Sequence, residues 1–301
     1  MKGTPVAIVL KPLDRQVIVI TGASSGIGLA TAKNAAARGA SIVLVARGND
    51  VLEAVASTIA ADGREVLCVP ADVADRGQVD QVAAAAIARF GRIDTWVNNA
   101  GCTIYGRIEE VSEADSRRLF ETNFWGMVNG SLAALPHLRR QGGALINVGS
   151  EASEVPIPMQ GMYTASKHAV KGFTDTLRVE VEQVDGAPVS ITLVEPTSVD
   201  TPLPQHARNY MDREPTLPSP KLDPHQVADA ILDAATTPRR DVKVGVIATL
   251  DVAVQKALPA LGDRVAPLQV PRQQRDEAPE RPAGALYTSG GDGRIYGKAG
   301  G

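Results

Sequence analysis

The chain has 301 residues, 44% of them hydrophobic, and its 31 lysines and arginines nearly balance 34 aspartates and glutamates, for a net charge of -3. That length suits one α/β domain plus a tail, and the charge lacks the basic footprint of a nucleic-acid binder. No apolar run is long enough to span a membrane, two cysteines make no disulfide framework, and four histidines without ligand spacing give no metal site.

From the N-terminus, Met1 to Lys11 places a lysine on each side of a very short apolar stretch. It lacks a full hydrophobic region and a cleavage site, so it is not read as a signal peptide, and a soluble cytoplasmic protein is expected. Gln16 to Thr21 is a β-branched run of the kind that forms buried parallel strands. The glycine-rich turn Gly22-Ala23-Ser24-Ser25-Gly26-Ile27-Gly28 follows, then an alanine-rich stretch from Leu29 to Arg38 that suits a helix. Further strands are expected at Ser41–Val45, Glu65–Val69, Ile93–Val97, Ala144–Val148 and Val189–Val194, with a weaker seventh at Val242–Ile247. Helical stretches at Val79–Phe90, Glu113–Leu138 and Tyr163–Gln183 alternate with them. Such alternation predicts a single Rossmann-like, doubly wound parallel sheet with helices on both faces, spanning residues 1–255. Residues 256–301 are expected to be a polar, irregular C-terminal extension, with seven glycines and three prolines among charges after Pro267. Leu286-Tyr287 and Ile295-Tyr296 are its obvious apolar residues: the segment is either disordered or docks through them.

The glycines between strand and helix carry the first functional signal. Gly22 permits a tight turn, Gly26 and Gly28 let the backbone approach a pyrophosphate, and the helix N-terminus at Ile27 supplies N–H groups and positive dipole. Ser24 and Ser25 add hydroxyls. The second strand ends in Ala46-Arg47 where an NAD site would carry an acidic residue for the ribose 2′-OH. A guanidinium there pairs with a 2′-phosphate, so NADP(H) is expected, with NAD(H) as the alternative.

A second signal lies at Tyr163 and Lys167, four apart and therefore on one helix face. A cation near a phenol favours the phenolate, which makes an acid/base pair. Ser150 stands at the end of the fifth strand. The Gly-x-x-x-Gly-x-Gly spacing, Asn98-Asn99-Ala100-Gly101, Asn123 in Thr-Asn-Phe-Trp-Gly, Ser150, Tyr163 and Lys167 resemble the short-chain dehydrogenase/reductase family over about residues 14–250. The resemblance implies hydride transfer between a nicotinamide cofactor and a carbonyl or alcohol carbon. Tyr163 would move the oxygen-bound proton, Lys167 would lower its pKa and hold the nicotinamide ribose, Ser150 would bind the substrate oxygen, and Asn123 would support a water linked to Lys167. It also implies cofactor contacts from Asn99, Ala100, Gly101, Pro196, Thr197 and Thr201, and adenine contacts from Asp72 and Val73, although Asp72 equally suits a helix cap. The family's usual Pro-Gly is Pro196-Thr197 here, which removes a glycine's backbone freedom beside the nicotinamide. A homodimer or homotetramer, built on the helices at 113–138 and 163–183, is implied as well.

Cys68 reads as a core thiol and Cys102 as a wall residue of the site. Pro156, Ile157, Met159, Leu203, His206 and Tyr210 predict a partly apolar pocket for a small-molecule carbonyl or alcohol, formed by irregular loops at 151–162 and 202–220. A non-catalytic, cofactor-sensing regulator on the same fold is the rival reading.

Overall fold

The computed structural model describes residues 7–245 and 258–298. Seven strands form the central sheet: β1 (Val17–Thr21), β2 (Ser41–Ala46), β3 (Val66–Pro70), β4 (Thr95–Asn98), β6 (Gly143–Val148), β7 (Val189–Pro196) and β9 (Asp241–Val244). They pair in the order β3-β2-β1-β4-β6-β7-β9, and every pairing is parallel. The order reverses between β1 and β4, which places the ligand crevice at the carboxyl ends of these two strands. A second, two-stranded parallel sheet joins β5 (Ile104–Tyr105) to β8 (Arg208–Asn209) above those ends.

The strands are apolar throughout because both faces are covered. Ile18, Ile20, Ile42 and Leu44 face helices α1 (Gly26–Ala37), α2 (Asn49–Ala61) and α7 (Pro224–Ala234). Val17, Val19, Val43 and Val45 alternate with them and face α3 (Arg76–Phe90), α5 (Gly126–Gln141) and α6 (Gly161–Arg178). Caps fix where several helices begin. Asp75 accepts from the Gln78 N–H at α3, Ser112 from the Asp115 N–H at α4 (Glu113–Phe120), and Asp223 with Gln226 forms a capping box before Pro224 at α7.

Strand ends differ from the sequence expectation by one or two residues. The expected third strand starts at Val66 rather than Glu65, and the fourth at Thr95 rather than Ile93. The last expected strand runs over Asp241–Val244, and its Val246 and Ile247 lie outside the described residues. The helix expected over 113–138 is interrupted by a π-turn at Glu121–Trp125 before α5 resumes through Pro136. A second π-turn, Val179–Val184, ends the helix expected over 163–183. Those helices carry exposed Trp125 and Leu132, and the second π-turn exposes Val179 and Val184. The C-terminal segment contains α8 (Pro259–Val265), and from Gln273 onward its backbone bonds to the body of the protein. Among the described residues no helix is long and apolar enough to cross a membrane.

A chain of amide side chains ties the sheet to the helices that carry the site. Asn98 accepts from Trp96 Nε1 at 2.8 Å and donates to Asn147 Oδ1 at 2.9 Å, and Asn147 donates to Thr174 Oγ1 on α6 at 2.9 Å. All are buried, so each satisfied bond avoids a desolvation cost of about 1–3 kcal/mol. Glu195, near the end of β7, is one of the exceptions among the described residues. It is buried, its Oε1 has no hydrogen-bond partner among the described residues, and burial together with neighbouring Glu154 pushes its carboxyl up to about 7.

A raised folded-state value means that the native protein holds a proton the unfolded chain has released. Stability therefore falls as pH rises from the ordinary glutamate range through 7. Glu195→Gln is expected to melt higher than the parent at about pH 8, and to lose the parent's decline in Tm between about pH 5 and about pH 8. Parallel Tm profiles for the two proteins would contradict this reading.

Candidate active site

The turn between β1 and α1 is built to bring two backbones together. Thr21 Oγ1 donates to the Val97 carbonyl at 3.2 Å and accepts from the N–H groups of Asn99 and Ala100 at 3.0 and 3.1 Å. Asn99 Nδ2 donates back to the Thr21 carbonyl at 2.9 Å. Gly22 takes φ +69, and a Cβ on Gly28 would lie 2.2 Å from the Gly22 carbonyl oxygen. A side chain at Gly28 therefore forces the turn open. The N-terminus of α1 is presented to the crevice as a phosphate cradle requires.

The crevice is an open cleft with a cavity volume of about 240 Å³. Gly22, Ser24, Ser25, Gly26 and Ile27 line it from the turn, Arg47 from the end of β2, Asp72 and Val73 from the loop after β3, and Asn99, Ala100 and Gly101 from the loop after β4. Pro196, Thr197 and Thr201 line the far side, with Ser150, Tyr163 and Lys167 between. Gly28 stands behind the turn, and Asn123 is buried beneath the wall. Of the expected pocket residues, Ile157, Leu203 and His206 reach the cleft.

Tyr163 and Lys167 occupy successive turns of α6, with Lys167 Nζ 5.7 Å from the centre of the Tyr163 ring. Lys167 is buried and donates to the Val148 carbonyl at 2.8 Å, at the carboxyl end of β6. Burial pushes the ammonium down to about 8. The phenol departs from expectation: burial pushes Tyr163 up to about 12, and a hydrogen bond with Ser150 pulls the other way. The phenol is thus fully protonated at neutral pH and suited to donating. Ser150 is itself held by capping a short 3₁₀ turn, its Oγ accepting from the Ala152 N–H at 3.1 Å.

Asn123 sits on the π-turn, a helix defect frequent at functional sites. Its Oδ1 accepts from the Cys102 N–H at 2.8 Å, and its Nδ2 donates to the Cys102 carbonyl at 2.9 Å and to Ser166 Oγ at 3.0 Å. Asn123 therefore joins the loop after β4 to the helix bearing Tyr163 and Lys167. Cys102 lines the cleft, and burial pushes its thiol up to about 11, which keeps it protonated and a poor nucleophile.

The threonine in place of glycine is accommodated without strain. Among the described residues Met159 is the non-glycine with positive φ, so Thr197 keeps an ordinary backbone, and its N–H continues the β7–β9 ladder to the Val244 carbonyl at 3.2 Å.

Two expected phosphate donors have internal partners. The Gly26 N–H donates to the Arg294 carbonyl at 2.9 Å, and Arg47 donates to the carbonyls of Ala285 and Leu286 at 2.6 and 3.1 Å. Ala285, Leu286, Ser289, Gly290 and Gly291 line the cleft, and sequence reasoning did not place them there. Their signal was faint: an apolar pair, Leu286-Tyr287, in a polar glycine-rich stretch.

A family profile described as short chain dehydrogenase matches residues 16–212. The chain belongs to that family. It is 42% identical over 286 residues to the uncharacterized oxidoreductase YxnA of Bacillus subtilis, covering 93% of this chain and 80% of that one. A short chain dehydrogenase/reductase from Burkholderia phymatum in complex with NAD superposes with a TM-score of 0.76 at 29% identity, covering 84% of this chain and 96% of the other. An alcohol dehydrogenase from the archaeon Thermococcus sibiricus complexed with 5-hydroxy-NADP superposes with a TM-score of 0.66 at 30% identity, covering 76% and 94%. This short-chain dehydrogenase/reductase is therefore an oxidoreductase, and its cleft suits a nicotinamide dinucleotide.

The buried ammonium sets a pH limit. Values of kcat/KM report the ionisations of the free enzyme. With Lys167 lowered to about 8, oxidoreductase activity is expected to be level below that value and to fall as the pH rises through it. A profile that stays flat to about pH 9.5 would remove Lys167 from the machinery.

Proposed function

We propose that this enzyme reduces a ketone or aldehyde, or oxidises the corresponding secondary alcohol, with NADP(H) as its preferred cofactor. The observation that carries the reading is the convergence of Ser150, Tyr163 and Lys167 on one wall of the cleft. A bound nicotinamide supplies or accepts the hydride at the substrate carbon. Ser150 hydrogen-bonds the substrate oxygen and offsets the charge that develops on it. Tyr163 delivers its phenolic proton to that oxygen in the reductive direction and takes it back in the other. Lys167 holds positive charge beside the phenol and steadies the phenolate left behind. Gly22, Gly26, Ile27 and Gly28 shape the pyrophosphate cradle, Asp72 and Val73 bound the adenine end, and Pro196, Thr197 and Thr201 face the nicotinamide end. Ile157, Leu203 and Leu217 supply an apolar lining suited to a lipophilic carbonyl compound.

The cofactor preference is carried by Arg47, which lies at the end of β2 beside Ala46 instead of an acidic residue. A carboxylate there would repel a 2′-phosphate, whereas a guanidinium pairs with it.

Tyr163→Phe keeps the ring and removes the proton. Turnover of carbonyl substrates, followed by NADPH absorbance, is expected to collapse while NADPH binding persists. Near-parental kcat would show that the phenol is not the proton donor, and no turnover by the parent with any carbonyl or alcohol would favour a cofactor-sensing regulator. A charge-assisted pair contributes about 1.5–3 kcal/mol, and 1.4 kcal/mol is about tenfold in affinity. Arg47→Ala is therefore expected to weaken NADPH by about ten- to a hundredfold and NADH much less. An equal loss for both, in kcat/KM, would contradict the assignment.

A further inference from the structure

The C-terminal segment lies across the dinucleotide cleft, and the groups that hold it there are groups assigned above to the cofactor. Arg47 donates to the carbonyls of Ala285 and Leu286, and Arg118 Nε donates to the same Leu286 oxygen at 3.3 Å. Farther along, the Gly293 N–H donates to the Ser24 carbonyl at 3.2 Å, and the Arg294 carbonyl accepts from the Gly26 N–H at the start of α1. The segment thus runs from the end of β2 to the phosphate turn.

Its first residues are also fastened to the body of the protein. The Ala285 N–H donates to the His206 carbonyl at 2.8 Å, and Tyr287 OH donates to Asp115 Oδ1 at 2.8 Å. The Leu286 side chain is 2% exposed and packs in one cluster with Ile104 and Leu119, against which Tyr163 also rests. The glycines are required by the fit. Gly284 has φ +58, and a Cβ there would lie 2.2 Å from the Ala207 carbonyl oxygen. A Cβ on Gly291 would lie 2.2 Å from Ser24 Oγ.

We propose that Gly284–Arg294 is a strap that closes the dinucleotide cleft when no cofactor is bound, latched by Arg47 and Arg118 and displaced when the cofactor enters. The inference rests on the NADP(H) reading above and adds the route by which the cofactor enters. The latch is made of guanidinium bonds to neutral carbonyls, which are weaker than the same bonds to an anion. A 2′-phosphate arriving at Arg47 therefore competes with the latch, and a ribose hydroxyl does not. Opening of a segment with few buried side chains is a low-energy local event, and Leu286 is the side chain of Ala285–Gly291 that is both large and buried.

The test locks and unlocks the strap. Built on Gly48, a Cβ stands 3.4 Å from Ser289 Cβ, close to the separation a disulfide requires. In the Gly48→Cys, Ser289→Cys double variant, the oxidised enzyme, its strap locked onto Arg47 and the start of α1, is expected to bind NADPH at least about tenfold more slowly by nicotinamide fluorescence, with the rate restored by a thiol reductant. Gly284→Val and Tyr287→Phe loosen the strap from positions outside the cleft lining. The association rate constant for NADPH is expected to rise, by about tenfold where the open population rises tenfold. Binding of NADPH to the parent protein tests the cofactor reading by itself, and its absence overturns both. Binding with the same association rate in the oxidised and reduced double variant, and in the two loosened variants, overturns the gate alone.

Discussion

A buried ammonium organises this site. Lys167 is withdrawn from water with a backbone carbonyl, that of Val148, as its hydrogen-bond partner. Burial without a carboxylate partner destabilises the charged form, which is why its pKa drops toward neutrality. The arrangement persists because the surroundings over-determine it. The Val148 carbonyl is fixed by the end of β6, α6 is pinned to the sheet through Asn147 and Thr174, and Asn123 bridges to Ser166 within the same helix. The positive charge is then available to a phenol one turn earlier, which burial keeps protonated. Opposite shifts in neighbouring acid and base are the arrangement expected of a proton-transfer site.

The parallel sheet explains why residues far apart in sequence share one cleft. Carboxyl ends of β1, β2, β4, β6 and β7 deliver, in turn, the glycine turn, Arg47, Asn99, Ser150 and Pro196. Thr21 and Asn99 stitch the two strands flanking the point where strand order reverses. That stitching holds open the space a dinucleotide needs, and the N-terminus of α1 faces it.

Much of this was legible in the sequence, because buried parallel strands are continuous apolar runs and the glycine turn has a fixed strand-to-helix context. The sheet was read from such runs, and Tyr163, Lys167, Ser150 and Arg47, singled out by motif, line one cleft. The parts that were not legible have specific causes. The π-turn around Asn123 is a local change of hydrogen-bond register within a helix, and no residue type marks it in the sequence. The raised Tyr163 pKa depends on burial by residues from other elements, which no local pattern records. The strap is held largely through backbone carbonyls, and carbonyls leave no mark on composition; the apolar pairs Leu286-Tyr287 and Ile295-Tyr296 in a polar tail were its visible trace.

The central claim is that this cleft carries a hydride between a nicotinamide and a carbonyl carbon, with Tyr163 supplying the proton. The most direct measurement uses NADPH deuterated at the transferring position of the nicotinamide, with a carbonyl compound the enzyme turns over, in ordinary water. The account predicts an alcohol with deuterium on the carbinol carbon and a solvent-derived proton on oxygen. An alcohol lacking deuterium from either face of the labelled cofactor, or consumption of NADPH without formation of an alcohol, would contradict it.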